Sequence, residues 1–306
     1  MIVRIFTPTF ILLCALSPCA CLAKQRRAST LNETSASSKF SPSPKQTIDK
    51  EPNETVSLGA GVYIVGKSID EANEKLGYEI GIGYPEITGS NKLQVLRFNQ
   101  AAASLANREA GEYRRVQLGP RGKLQPWWKD TKEYLSVTYD VILADDRLIS
   151  IRFDKQTYTR GAAHAVQEFR VVNYDLEEGR LLQLRNLFTQ NSRYLKFIAD
   201  YCLNSLREQN KKDCFEAAKD SRNGIDREYC EREGSKNFWL PKFSRPTLGN
   251  FQFWSLRNDG LLVDFEECRM APCAAGPREV LIPYFSLKSI ANQKGVLSRW
   301  TAHPAK

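Results

Sequence analysis

Leu135, Val137, Tyr139, Val141 and Leu143 alternate with Ser136, Thr138 and Asp140. A period of two belongs to a strand with one buried and one wetter face, and no helix accommodates it. Asp145-Asp146 supplies a turn, and residues 147–158 return as the pairing partner. Residues 60–67, 77–88 and 167–174 read as further strands, and Glu177-Glu178-Gly179 turns the chain into residues 180–184. Asn258-Asp259-Gly260 is a strong hairpin signal between 250–257 and 261–267, and residues 280–283 form a last short strand. Asn91 is expected to cap a helix to about Asn107, with Val95, Phe98, Ala102 and Leu105 on one face. Other helices are expected from Ser192 to Arg207 and over 284–293, the last stopping near Gly295. Strands joined mostly by hairpins, with helices between them, predict an α+β fold on an antiparallel sheet.

The fold begins well inside the chain. Residues 1–23 carry one charge, Arg4, then an apolar run from Phe10 to Leu16 and small residues ending at Ala23. Basic start, short apolar middle and small closing residues are the three parts of a secretory signal. The run is about half the ~20 residues that span a bilayer, and no later stretch is long and apolar enough to do so. Cleavage after Ala23 releases a soluble product; cleavage before Cys19 or Cys21 leaves a lipid anchor. Residues 24–55 are rich in Ser, Thr, Pro, Lys and Asn, and cannot bury enough apolar surface to offset ordering. Asn32-Glu33-Thr34 and Asn53-Glu54-Thr55 fit the N-glycosylation pattern, which matters only in a eukaryotic host. The expected divisions are a signal at 1–23, a disordered linker at 24–55, and two intimately packed α+β subdomains at 56–133 and 134–293. The second carries a charged, cysteine-bearing insert near 208–243, and residues 294–306 form a tail.

With 44 basic and 35 acidic residues the chain is basic, but the excess is dispersed and forms no stripe interleaved with aromatics. Nucleic acid is therefore not an expected partner, and export argues against it as well. Of eight cysteines, Cys14, Cys19 and Cys21 fall in the signal. After export the other five are free to form disulfides, and an odd number leaves one over. Cys202 shares a helical stripe with Leu195, Ile198 and Leu206, where a thiol acts as a small apolar group. Cys214–Cys230 and Cys268–Cys273 are then the expected bridges, with Cys202–Cys214 as the rival pairing.

The chain offers few catalytic patterns. Gly61-Val-Tyr-Ile-Val-Gly66-Lys67-Ser68 satisfies the phosphate-loop spacing, but its four variable positions favour a strand over a loop. His164 and His303 are the only histidines, so a Ser–His–Asp or Cys–His site would have to use His164. No histidine–cysteine cluster has zinc spacing, and neither metal nor cofactor is expected. Two loops stand out instead. Residues 158–164 join two strands with small residues yet carry Tyr158, Arg160 and His164, and residues 271–277 follow Glu266-Glu267. Loops on a rigid sheet are where binding groups are often held, so these five residues are the candidate ligand site.

Several segments, in order, carry a resemblance. They are Tyr84-Pro85-Glu86-Ile87 before the Asn-bearing helix, Val137-Thr138-Tyr139-Asp140-Val141, Gly161-Ala162-Ala163-His164 and Asn173-Tyr174-Asp175-Leu176 with Gly179 and Leu187-Phe188. Asn258-Asp259-Gly260-Leu261, Ala274-Ala275-Gly276-Pro277 and Ile282-Pro283-Tyr284 complete the set. Over roughly residues 58–292 the chain resembles the extracellular domain shared by RsiV-type anti-sigma factors, PdaC-type peptidoglycan deacetylases and the secreted mycobacterial immunogen family. It departs from that pattern at Ala162, where glycine is common, and at Cys273, where tyrosine often stands. The resemblance implies a non-catalytic, exported module, periplasmic, secreted or lipid-anchored, that recognises an envelope glycan or an extracellular protein. Lysozyme, which RsiV-type members bind, is the alternative partner, although like charge on two basic proteins opposes encounter. An unrecognised envelope hydrolase acting through His164 is a third reading.

Overall fold

The computed structural model describes residues 55–59, 61–119, 131–219, 226–234, 245–270 and 276–301. The signal, the linker with its glycosylation patterns, Cys19, Cys21, Cys273 and the tail beyond Thr301 lie outside these residues. All of the described residues fall in one compact unit, 50–306.

Seven strands form the first sheet in chain order. They are β1 (Val56–Gly59), β2 (Val62–Asn73), β3 (Tyr78–Thr88), β4 (Glu133–Ala144), β5 (Leu148–Tyr158), β6 (Val166–Asp175) and β7 (Arg180–Leu181). The fold is α+β, as the strand pattern predicts. Every neighbouring pair is antiparallel except β3 and β4, which run parallel. That exception has a simple cause. A parallel neighbour needs a long crossover, and helix α1 (Leu93–Gln117) lies in the connection. The sheet thus continues without a break across residue 133. Gly61–Ser68, the phosphate-loop match, is mostly β2, with Tyr63–Ser68 paired to Gly83–Thr88, so this stretch is sheet and not an anion cradle.

Helix α1 does not begin at Asn91. Lys92 is its N-cap, without a side-chain hydrogen bond, and the amides of Val95 and Leu96 point to the Lys92 carbonyl. The helix also runs ten residues past Asn107, because Ala110, Tyr113 and Gln117 continue its buried stripe. That stripe covers Tyr78, Ile80, Ile82, Leu135, Val137, Ile149, Ile151 and Phe153 on one face of the sheet. Asn99 clamps the end of β3 to the helix: Ile87 N donates to its Oδ1 at 2.8 Å, and its Nδ2 donates to the Ile87 carbonyl at 2.9 Å.

The second core lies among helix α2 (Tyr194–Ala217), the three-stranded sheet and the opposite side of the first sheet. One residue shows how the faces are divided. The β4–β5 register shifts between Val141 and Leu143, so Ile142 is inserted. One extra residue moves every later side chain to the other face. Leu135 and Val137 therefore pack toward α1, whereas Leu143 joins the second core.

The second sheet has the order β10 (Arg278–Pro283), β9 (Gly260–Phe265) and β8 (Trp254–Leu256), all antiparallel. β8 is shorter than the expected 250–257, since a 3-10 turn occupies Leu248–Asn250. Its edge away from β9 meets side chains of the first sheet. Asn173 Nδ2 donates to the Trp254 carbonyl at 2.7 Å, and Leu256 N donates to Ser150 Oγ at 3.0 Å. Ser150 Oγ in turn donates to Asn173 Oδ1 at 2.5 Å.

Helix α2 continues ten residues beyond Arg207, and helix α3 (Arg227–Glu233) follows. Cys214 and Cys230 are disulfide-bonded, with Cα atoms 5.5 Å apart. Cys202 is free and buried beside Ile198 and Leu206, which excludes the rival Cys202–Cys214 pairing. Cys268 is also disulfide-bonded. The expected closing helix over 284–293 is one turn, Tyr284–Leu287, because the chain then pairs with residues near Leu187. Phe188 and Ala291 form an isolated bridge, and Asn292 N donates to the Leu187 carbonyl at 2.9 Å. A last helical turn occupies Ser298–Thr301.

Candidate functional site

The two loops expected to carry binding groups lie beside each other. Gln167 N donates to Glu267 Oε2 at 3.3 Å, and His164 Nδ1 lies 3.8 Å from Glu267 Oε1. His164 is the exposed member, with a 60% exposed side chain, and its Nδ1 also lies 2.9 Å from the Ala165 carbonyl. Glu266 is half-buried and faces Arg170 at 3.7 Å. Burial, then the neighbouring Glu168, pushes the Glu266 carboxyl above its ordinary range. Arg170 also pairs with Glu109 of α1 at 2.9 Å, and Lys155 reaches the same carboxylate at 3.0 Å. Burial alone would raise Glu109, but the two cations outweigh it and hold the carboxyl below its ordinary range.

Tyr158 and Arg160 look the other way. Tyr158 stacks on Tyr134, ring centroids 5.7 Å apart. Arg160 is buried and donates to the Leu76 carbonyl at 2.8 Å, with Nε 3.4 Å from Glu133. Its guanidinium secures the turn before β3 to the start of β4. The structure therefore brings His164, Glu266 and Glu267 together and separates them from Arg160. Among the described residues, no hydroxyl or thiol nucleophile is hydrogen-bonded to His164. The free thiol of Cys202 is raised by burial, and a buried thiol is a poor nucleophile. No group of three or more His, Cys, Asp or Glu among the described residues could hold a metal ion. No helix among them is long and apolar enough to cross a membrane.

A concave site lies elsewhere and shares none of the five predicted residues. A cleft of about 510 Å³ opens between residues 185–194 and 292–296, with Arg147 and Arg180 also in its lining. Its walls are tied together. Thr189 N donates to the Ile290 carbonyl at 2.9 Å, Thr189 Oγ1 to the Ala291 carbonyl at 3.0 Å, and Asn292 N to the Leu187 carbonyl. Phe188 and Tyr194 stack in the lining, with centroids 4.7 Å apart and planes 10° from parallel. Asn191 adopts a left-handed backbone, φ 63°, where the chain turns into α2. Pinned walls, an aromatic pair and several carboxamides make a preformed polar site, the kind that holds a small ligand. The sequence hint was a dense polar run, Arg185-Asn186 to Gln190-Asn191, beside Leu187-Phe188. The opposite wall is about a hundred residues away in the chain, and no local spacing announces it.

The segment that builds one wall of this cleft, α2, α3 and all of the second sheet also has recognisable relatives. Residues 185–285 match DUF3298, described as a protein of unknown function. The matched stretch includes Glu266 and Glu267 but stops short of Lys294. The chain is similar to a DUF3298 family member from Bacteroides fragilis, with TM-score 0.45 and 15% identity, covering 80% of this chain and 99% of that one. It is similar to a second DUF3298 family protein, from Pseudomonas aeruginosa, with TM-score 0.44 and 13% identity, covering 75% and 94%. No curated protein matches the sequence.

Proposed function

We propose that this chain is an exported, non-catalytic binding module of the cell envelope, and that it holds an envelope glycan in the cleft between residues 185–194 and 292–296. The cleft carries the reading: it is concave, preformed by backbone pairing, and lined by carboxamides around a stacked aromatic pair. Sugars are recognised by that combination, since hydroxyl groups need fixed polar partners and the ring's C–H face packs on an aromatic. The disulfides at Cys214–Cys230 and at Cys268 support an oxidising compartment, in keeping with the signal-like first 23 residues. The half-buried Glu266 and Glu267 already face Arg170 and Gln167, so this acidic pair offers little free charge to a basic lysozyme.

Co-sedimentation of the purified chain with insoluble peptidoglycan tests the proposal. The wild type should sediment with the glycan, and Tyr194→Ala should lose most of the bound fraction while melting within a few degrees of wild type. Tyr194→Phe, which keeps the stack, should bind like wild type. A wild type that stays in the supernatant, or a Tyr194→Ala variant that sediments equally well, sinks the reading. Inhibition of lysozyme by the same preparations would replace it with the protein-partner alternative.

A further inference from the structure

The cleft's charged groups that lack an ion-pair partner are of one sign, and that narrows the ligand. Arg147 is paired outward with Glu177 at 3.0 Å, and Arg180 is paired with Glu178. Arg185 and Lys294, on the two walls, are exposed, and among the described residues neither has a carboxylate within ion-pair distance. Two of the four lining carboxamides, Asn186 and Asn292, are committed in one direction. Gln183 N donates to Asn186 Oδ1 at 2.7 Å, and Lys294 N donates to Asn292 Oδ1 at 3.0 Å. A backbone N–H can be received only by the oxygen, so both amide orientations are fixed and both NH2 groups remain as donors. The same wall leads into α2, whose first turn has neither a side-chain cap nor an acidic residue. Its partial positive charge adds to the two cations.

Two cations without a carboxylate partner, in a cleft whose lining carboxylate, Glu178, is already paired with Arg180, call for an anionic group on the ligand. Resting on the glycan reading above, we infer that the bound sugar carries an oxyanion substituent, a carboxylate or a phosphate, which sits between Arg185 and Lys294. Guanidinium and ammonium form the stronger, charge-assisted class of hydrogen bond with such groups. The surrounding concavity concentrates their field.

Calorimetric titration of the purified chain with three probes tests this: N-acetylglucosamine, N-acetylmuramic acid and N-acetylglucosamine 6-phosphate. The last two add a carboxylate and a phosphate respectively, so they separate the two oxyanions. At least one acidic sugar should bind roughly tenfold more tightly than the neutral sugar, the scale of one charge-assisted hydrogen bond. Arg185→Gln and Lys294→Gln should each remove most of that preference for the acidic sugar over the neutral one. The preference should also shrink as salt rises. If all three sugars bind equally, or both variants keep the preference, the oxyanion inference fails while the glycan reading stands. If none of the sugars binds the wild type, the glycan reading of the cleft fails and takes this inference with it.

Discussion

Asp264 sits where the two sheets face one another, with its side chain fully buried. Its Oδ1 lies 3.3 Å from Arg152, and its Oδ2 has no hydrogen-bond partner. Asp140, Asp154 and Glu279 reach the same guanidinium at 3.1, 3.4 and 2.5 Å, so four carboxylates share one cation. Burial, helped by Glu279 and Asp154 and opposed by Arg152, pushes the Asp264 carboxyl from 3.8 up to about 7. The sign follows from linkage. Between pH 4 and 7 the folded chain keeps a proton that the unfolded chain has lost, so this group lowers stability as pH rises through that window. Asp264→Asn keeps the shape and removes the titration. Urea unfolding at pH 5 and pH 8 should show the variant gaining on wild type by roughly 2 kcal/mol at the higher pH. An unchanged difference between the two pH values would show that Asp264 is not the titrating group. Asp154 is raised in the same direction by its own burial, but it is present in both proteins and cancels except through coupling.

At the scale of elements, α3 is the part that cannot stand alone. Seven residues are too few for an isolated helix, and its Cys230 ties it to the last turn of α2 through Cys214. Closing a loop of that length contributes about 3 kcal/mol. A Cys214→Ser, Cys230→Ser double variant should lose about that much. Its amides in residues 227–233 and in the final turn of α2 should exchange rapidly, with β4 to β6 still protected. Equal loss of protection in the sheet would argue against a local staple. The elements differ in how plainly the sequence announces them. The alternation of β4 and the Asn-Asp-Gly hairpin are local signals, and both strands stand where those signals put them. The Ile142 insertion is invisible because a bulge changes no residue type, only the pairing count. Helix ends escape local sequence signals where burial continues without a breaker, as at Ala110 and Tyr113, or where long-range pairing stops a helix, as at Ala291. Arg160 looked like a displayed loop residue, yet the Glu133 carboxylate and the Leu76 carbonyl, both distant in sequence, draw it inward. The cleft is illegible for the same reason, since its walls meet through the Phe188–Ala291 bridge, between segments about a hundred residues apart.

Across the whole molecule, two cores on opposite faces of the first sheet must act as one body, and a small polar clasp joins them. β8 is an edge strand, and an edge buried without partners is costly. Ser150 and Asn173 provide those partners from the face of the first sheet, using three hydrogen bonds in series among buried groups. The Asn173-Tyr174-Asp175 segment is thereby explained by assembly. Asn173 holds the second sheet, Tyr174 donates to the Gln94 carbonyl of α1 at 2.9 Å, and the Asp175 carboxylate receives the amides of Glu177 and Glu178 in the turn. Asn173→Ala leaves the Trp254 carbonyl without this donor and the Ser150 hydroxyl without its acceptor, which should cost on the order of 2–4 kcal/mol. Asn173→Asp should not rescue it, because a carboxylate has no proton to give the Trp254 carbonyl. Ser150→Ala should cost a similar amount, since it too breaks two of the three bonds and leaves the Leu256 N–H and Asn173 Oδ1 without these partners. If the three bonds act as a unit, a double-mutant cycle between Ser150 and Asn173 should return a coupling of roughly 1 kcal/mol or more, whereas additive losses would dissolve the clasp into two separate contacts.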